Sequence, residues 1–209
     1  LWSGEDRSAA TADILSQATT KYVNLCGGNP LLNSETPEIL QRLKKRNHFV
    51  TVTTNGHRFD QIDPQLLRYI DIPIIYLPGA NRNDLLEISG FDCLRYYENT
   101  FGFLKDNKKK AIIHFPVTNA TIEQLPDLAD YCTRDNRLFL WVSYRQSSAN
   151  KLSKAEKNAL HYYQTRKRSF TYLSNEIPSN LCNGCFHELE NLRLKNILFF
   201  THLFSKMYF

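Results

Sequence analysis

The sequence contains no apolar run approaching the roughly 18 residues a membrane span needs, so no membrane-spanning segment is expected. It also has no evenly framed cysteines. Five are scattered over 209 residues, which excludes the disulfide scaffold of a small secreted domain. No leader-like segment is recognised, and no low-complexity stretch interrupts the chain. A reducing, cytoplasmic setting is therefore the expectation. Charge of one sign is modest: a formal +5 permits an anionic ligand or nucleic acid without demanding one. The basic clusters Lys44-Lys45-Arg46, Lys108-Lys109-Lys110 and Arg166-Lys167-Arg168 are brief and read as solvated helix ends. Aromatic residues beside the last cluster, at Tyr162, Tyr163, Phe170 and Tyr172, leave a weak nucleic-acid or peptide surface as the alternative.

What the sequence does contain is a repeated unit. Tyr22–Cys26 is a short apolar strand that ends abruptly in Gly27-Gly28-Asn29-Pro30. Thr36-Pro37-Glu38 then starts a helix, with a capping hydroxyl, proline in the first turn and an acid at the positive dipole end. Ile39, Leu40 and Leu43 form its buried stripe. A β-branched strand, Phe49–Thr53, follows and closes in Thr54-Asn55-Gly56. Asp63-Pro64 opens a further helix, and Ile72–Leu77 is the next strand. Residues 80–89 read as a long polar loop, leading to a helix with Cys93, Leu94, Tyr97, Phe101 and Leu104 on one face. Ala111–Val117 is a strand, and Thr121 with Gln124 forms a capping box for the following helix. Leu138–Ser143 is the last clear strand, and Ser153 with Glu156 caps a helix running to about residue 168. Ala9–Ala18 carries one more helical pattern ahead of the first strand.

Five strands separated by helices are the signature of βα units joined by right-handed crossovers, and hence of a parallel sheet or open barrel. The expected fold class is α/β: a partial (βα)6, TIM-like open barrel of parallel strands with a C-terminal helical or irregular extension. Residues 1–146 would be the barrel, lacking its first strand, and 147–209 the extension.

Gly27-Gly28-Asn29-Pro30 after one strand, followed by Thr54-Asn55-Gly56 after the next, resembles the radical S-adenosylmethionine (radical SAM) superfamily. Its pattern there is Gly-Gly-Glu-Pro and a Thr-Asn-Gly-like turn, and the ends Val117-Thr118-Asn119 and Val142-Ser143-Tyr144 fall in matching order. The resemblance covers about residues 1–146. It implies that Gly27, Gly28, Asn29 and Pro30 contact the methionyl end of S-adenosylmethionine (SAM), and that Thr54, Asn55, Val117, Thr118 and Tyr144 line its ribose and adenine. It further implies a [4Fe–4S] cluster, a reductant such as flavodoxin or ferredoxin, and a substrate that loses a hydrogen atom, among which a peptide or protein is one class.

Two departures stand out. Asn29 occupies the place of the family's glutamate and carries no charge. The Cys-x3-Cys-x2-Cys cluster motif is absent, and its expected place is immediately before Leu1. The alternative is a catalytically silent barrel that binds or scaffolds. Cys182 and Cys185 have metal-ligand spacing, with His187 nearby, and suit an auxiliary cluster or a zinc site as well as a structural role. Cys93 and Cys132 read as core, His57 as a turn histidine, and His114 as a strand residue lining either the core or the barrel.

Overall fold

The computed structural model describes residues 21–26, 29–90, 92–145, 151–166 and 170–175, with the backbone alone for 145, 161, 163–166 and 170–175. Six strands form one sheet: β1 (Tyr22–Leu25), β2 (Phe49–Thr54), β3 (Ile72–Tyr76), β4 (Ala111–Val117), β5 (Leu138–Arg145) and β6 (Phe170–Asn175). Every neighbouring pair is parallel, and the spatial order is the chain order. Crossovers of one hand that always step in one direction put every connecting helix on the same face. This is how a partial TIM-like barrel is wound.

The helices are α1 (Thr36–Lys45), α2 (Arg82–Ser89), α3 (Leu94–Asp106), α4 (Leu125–Arg134) and α5 (Lys154–Arg166). Their stripes bury against one side of the strands. Ile39, Leu40 and Leu43 of α1 close over Val23, Val50 and Val52, while Leu104, Leu128 and Cys132 close over Ile113, Phe115, Leu140 and Val142. The other face carries its own buried layer of strand residues alone: Ile72, Ile74, Ile112, Phe139 and Trp141. Among the described residues no helix is long and apolar enough to cross a membrane.

The edge at which the strands begin is fastened by Asp71. Its carboxylate accepts from the Val50 amide at 2.7 Å and pairs with Lys44 Nζ at 2.8 Å. Lys44 donates on to the His48 carbonyl, and Lys109 to that of Leu67. These bonds fix the entries of β2 and β3 against α1, far from the strand ends where barrel ligands bind.

Several expectations are corrected. The sheet gains β6, which pairs with β5 over Leu140–Arg145, in a region the sequence did not mark as strand. Residues 82–89 are helical rather than loop, because the Asn81 side chain accepts from the Asp84 amide and Gly90 ends the helix at φ +75°. Thr36 is not a cap: its hydroxyl donates to the Pro30 carbonyl instead, tying the first turn to α1. Thr121 and Gln124 form no capping box. Gln124 reaches 44 residues back to accept from the Ala80 amide and also contacts Asp84. Asp63-Pro64 begins a 3-10 helix, not an α-helix. The Ser153/Glu156 box does form, with the Glu156 amide 3.2 Å from Ser153 Oγ and the Ser153 amide donating back to the Glu156 carboxylate. The helix anticipated at 9–18 lies outside the described residues.

Candidate functional site at the strand ends

All six strands point the same way, so their C-terminal ends share one edge, and the turns after β1 and β2 lie side by side there. Asn29 joins them. Its Oδ1 accepts from the Leu31 amide at 3.2 Å and from Thr54 Oγ1 at 3.0 Å. Its Nδ2 donates to the His57 carbonyl at 2.9 Å and to Asn55 Oδ1 at 3.3 Å. A neutral carboxamide offers two acceptor sites and two donors, and all four are used. A glutamate could not make the two donor contacts. The uncharged residue here is thus a clamp between turns.

The second turn is itself stiffened. Thr54, buried, accepts from the Gly56 amide, and Asn55 Oδ1 accepts from the His57 amide. Gly56 has φ +79°, and the buried Thr100 hydroxyl of α3 shares its proton between the Gly56 carbonyl at 3.0 Å and the Tyr96 carbonyl at 2.7 Å. His57 packs edge-on against Tyr96, with ring centroids 5.0 Å apart. Asn55 stays exposed.

The remaining candidate residues sit differently. Val117 and Tyr144 are 1% and 2% exposed and belong to the core beneath the helices, so at this edge they present backbone rather than side chain. The Tyr144 hydroxyl accepts from the Leu152 amide at 2.9 Å, anchoring the approach to α5. Thr118, half-buried, donates its amide to Thr121 Oγ1 at 2.9 Å, and the two threonine hydroxyls share a hydrogen bond of 3.1 Å. The edge therefore brings Asn29, Thr54 and Asn55 together directly. Pro30 follows Asn29 in the chain and starts the short 3-10 turn Pro30–Leu32. Gly27, Gly28, Cys182 and Cys185 lie outside the described residues.

The helix-free face was not legible from the sequence, and it is where the structure adds most. Alternation and register put Asn24, Thr51, Thr53, Tyr76, His114, Trp141 and Ser143 on it. Asn24 Oδ1 accepts from Thr51 and Thr53, at 2.9 and 3.2 Å. Its buried Nδ2 has no hydrogen-bond partner among the described residues, and either orientation of the amide leaves one end without one there. Farther along, His114 stacks on Trp141 (centroids 4.0 Å, 14° apart), meets Tyr76 edge-on and lies 2.8 Å from Ser143 Oγ through Nε2.

Burial holds the His114 imidazole neutral, its pKa pushed down to about 3. The unfolded chain takes up that proton near pH 6.5, so ν_U exceeds ν_N between the two values and stability falls as pH drops from about 6.5 toward 3. In urea melts, His114→Gln should flatten this acid slope. An unchanged slope would place its origin elsewhere.

The described cysteines do not form a metal centre. Cys93 and Cys132 are buried under the helices, with burial and the neighbouring Asp135 pushing the Cys132 thiol up to about 12, while Cys26 is exposed at the end of β1. No cluster of three or more His, Cys, Asp or Glu suited to a metal occurs among the described residues. They do not fit a three-cysteine iron–sulfur cluster.

No family model and no curated relative matches the chain. Solved structures do. SuiB of Streptococcus suis bound to S-adenosylmethionine is 18% identical, with a TM-score of 0.60 over 88% of this chain and 46% of that one. The same protein bound to its precursor peptide SuiA gives 0.61 over 89% and 44%, again at 18% identity. The anSMEcpe protein with bound AdoMet and the Kp18Cys peptide gives 0.57 at 15% identity, over 78% and 53%. A domain of pyruvate-formate lyase-activating enzyme from Bacteroides vulgatus gives 0.55 at 16%, over 72% of this chain and 98% of that domain. These are radical SAM enzymes, and the chain has a radical-SAM-like fold. It spans about half the length of the SuiB and anSMEcpe chains it matches.

Proposed function

We propose that the strand-end edge seats SAM, as the barrel portion of a radical SAM enzyme acting on a peptide or protein segment. The observation that carries this reading is the Asn29 clamp. It ties the start of the Pro30–Leu32 turn to the Thr54-Asn55-Gly56 turn at the edge where the strands end. The methionyl end would meet Gly27 and Gly28, with the Asn29-Pro30 segment positioning them. The nucleoside would lie along Thr54, Asn55 and the backbone of Val117-Thr118 and Tyr144. The unsatisfied Asn24 amide, one side-chain step below Cys26 on the same strand, supports a polar ligand at this end. Leaving it unfilled costs about 1–3 kcal/mol. Two of the neighbours are described with bound peptides, which supports the substrate class.

Reductive cleavage of SAM requires an iron–sulfur cluster, which the described residues do not assemble. The test is SAM binding itself. Isothermal titration should show saturable binding of SAM at micromolar to sub-millimolar concentration, and Thr54→Val should weaken it about tenfold by unfastening the turn. Equal heats from SAM and from adenosine would sink the methionyl-end assignment, and no binding at all would sink the enzyme reading. That second outcome favours the silent barrel, a reading supported by Asn29 having no hydrogen-bonding position left for an ammonium group.

A further inference from the structure

Basic residues far apart in the chain meet at the edge where the strands begin. Helices that run back along a parallel sheet end at that edge, so the end of α1 delivers Lys45 and Arg46, the end of α3 Lys105 and Lys108, and α4 Arg134. Arg68 arrives there on the 3-10 helix that leads into β3. All six residues are exposed. The described acids of this rim do not balance them. Asp71 and Asp135 are half-buried and already paired, with Lys44 and Arg137 at 2.8 and 2.7 Å, which leaves Asp106 exposed. The opposite edge has acids in its place, with Glu38 and Asp127 in the first turns of α1 and α4. A modest formal charge of +5 therefore conceals a polar distribution.

A helix C-terminus favours a cation, and that accounts for Lys45, Lys105 and Arg134. It does not account for Arg68, which lies outside any α-helix, or for Lys108. Lys108 holds φ +52°, a left-handed position that glycine or asparagine fills at less cost. The cations are also interleaved with rings. Arg68 lies over Tyr69, its Cζ 4.6 Å from the ring centroid. Lys21 Nζ stands 6.0 Å from the ring of Tyr22, which leans on Phe49 with centroids 5.6 Å apart. These three rings are half-buried at the entries of β1, β2 and β3.

From Lys21 to Arg134 the rim follows the entries of five neighbouring strands, at about 4.8 Å per step. One phosphate or carboxylate cannot span it, whereas a polynucleotide repeats its charge along its length. An acidic polypeptide would use the charges and leave the rings idle, but a ring can take the face of an unpaired base. A membrane surface calls for exposed aliphatic side chains. The described ones, Leu32, Leu86 and Ile88, follow β1 and β3 at the other edge.

We infer that this rim binds a single-stranded nucleic acid, with phosphates on the lysines and arginines and unpaired bases on the Arg68–Tyr69 and Tyr22–Phe49 pairs. It lies at the far end of the strands from the proposed SAM edge and does not depend on that reading.

The full chain is titrated into fluorescein-labelled single strands of RNA and of DNA, about 15 nucleotides long, and followed by anisotropy. Binding should saturate at about 50 mM salt and weaken with a log–log salt slope of about −2 or steeper, equivalent to roughly three phosphates. Lys45→Glu with Lys108→Glu should weaken it at least about tenfold and make the slope shallower by about 1. The same charge change at the other edge, Lys151→Glu with Lys154→Glu, should stay within about twofold. Tyr22→Leu with Tyr69→Leu should weaken binding about fivefold or more at an unchanged slope, and Arg68→Lys, which keeps the charge and loses the plane, about threefold. Urea midpoints measured alongside separate lost binding from lost folding. The inference is overturned if neither strand binds, if the two charge-reversed pairs weaken binding equally, or if the ring and Arg68 variants bind like the parent. It is also overturned if poly-glutamate or phosphatidylglycerol vesicles displace the strand at equal charge concentration, since the rim would then belong to an acidic protein or a membrane surface.

Discussion

Asn29→Asp should destabilise the protein by about 2–3 kcal/mol at neutral pH, although it changes one NH2 group to an oxygen. The acceptor half of the side chain survives, so the Leu31 amide and Thr54 hydroxyl keep their partner. The donor half becomes an anionic oxygen facing the His57 carbonyl and Asn55 Oδ1, where two hydrogen bonds of 2.9 and 3.3 Å turn into two repulsions. Such a carboxylate titrates above its unfolded value near 3.9, because its protonated form can donate to the carbonyl. The folded state then binds the proton more tightly. The penalty is full above the folded pKa and shrinks as pH falls toward the unfolded one. Subtracting the parent's urea stability at each pH removes the acid effect of His114 and leaves this trend. SAM affinity should fall by about tenfold or more in the same variant at neutral pH. A penalty below about 0.5 kcal/mol, independent of pH, would mean that the two turns are not held by Asn29.

The second large effect is expected at Gly56. At φ +79° an alanine carries a backbone cost of about 1–2 kcal/mol. Its Cβ would also stand 3.0 Å from Thr100 Oγ1, the hydroxyl that holds the Gly56 carbonyl. Gly56→Ala should therefore cost about 2–3 kcal/mol in all, part conformational and part steric. A double-mutant cycle separates the parts. In a Thr100→Ala background the steric share vanishes and the penalty should drop by about 1 kcal/mol, leaving the backbone term. Equal penalties in both backgrounds would show that α3 yields freely and does not brace the turn.

How much of this was legible in the sequence differs by element. The parallel strands β1 to β5 and the stripe Ile39, Leu40, Leu43 were readable, because β-branched runs and helical spacing are local signals. Residues 82–89 misled: Arg82, Asn83, Asp84 and Glu87 make a helix too polar to show a face, and its boundaries rest on the Asn81 cap and Gly90. Gln124 looked like a capping partner, but the contact it makes lies 44 residues back and has no local signature. Phe170–Asn175 joins the sheet through backbone pairing with β5, and its sequence follows a basic helix end without a clear turn.

At the site, Asn29 was identifiable from its turn, while its function as a clamp was not. Three of its partners, Thr54, Asn55 and His57, lie 25 to 28 residues away. His114 was ambiguous because strand alternation assigns two faces without saying which is which. Only the register with Trp141 and Ser143 settles it.

Asp71, at the opposite edge, bears on how freely this protein can change. Slipping a strand by one residue exchanges its two faces, which here would trade Thr51 and Thr53 for Val50 and Val52. The Asp71 carboxylate grips the Val50 amide and Lys44 at the point where β2 begins, so the alignment of β2 is pinned before the chain reaches its turn. Turn length and composition after β1 and β2 are thereby uncoupled from strand alignment. The loops that choose a ligand are free to diverge while the framework beneath them stays in phase.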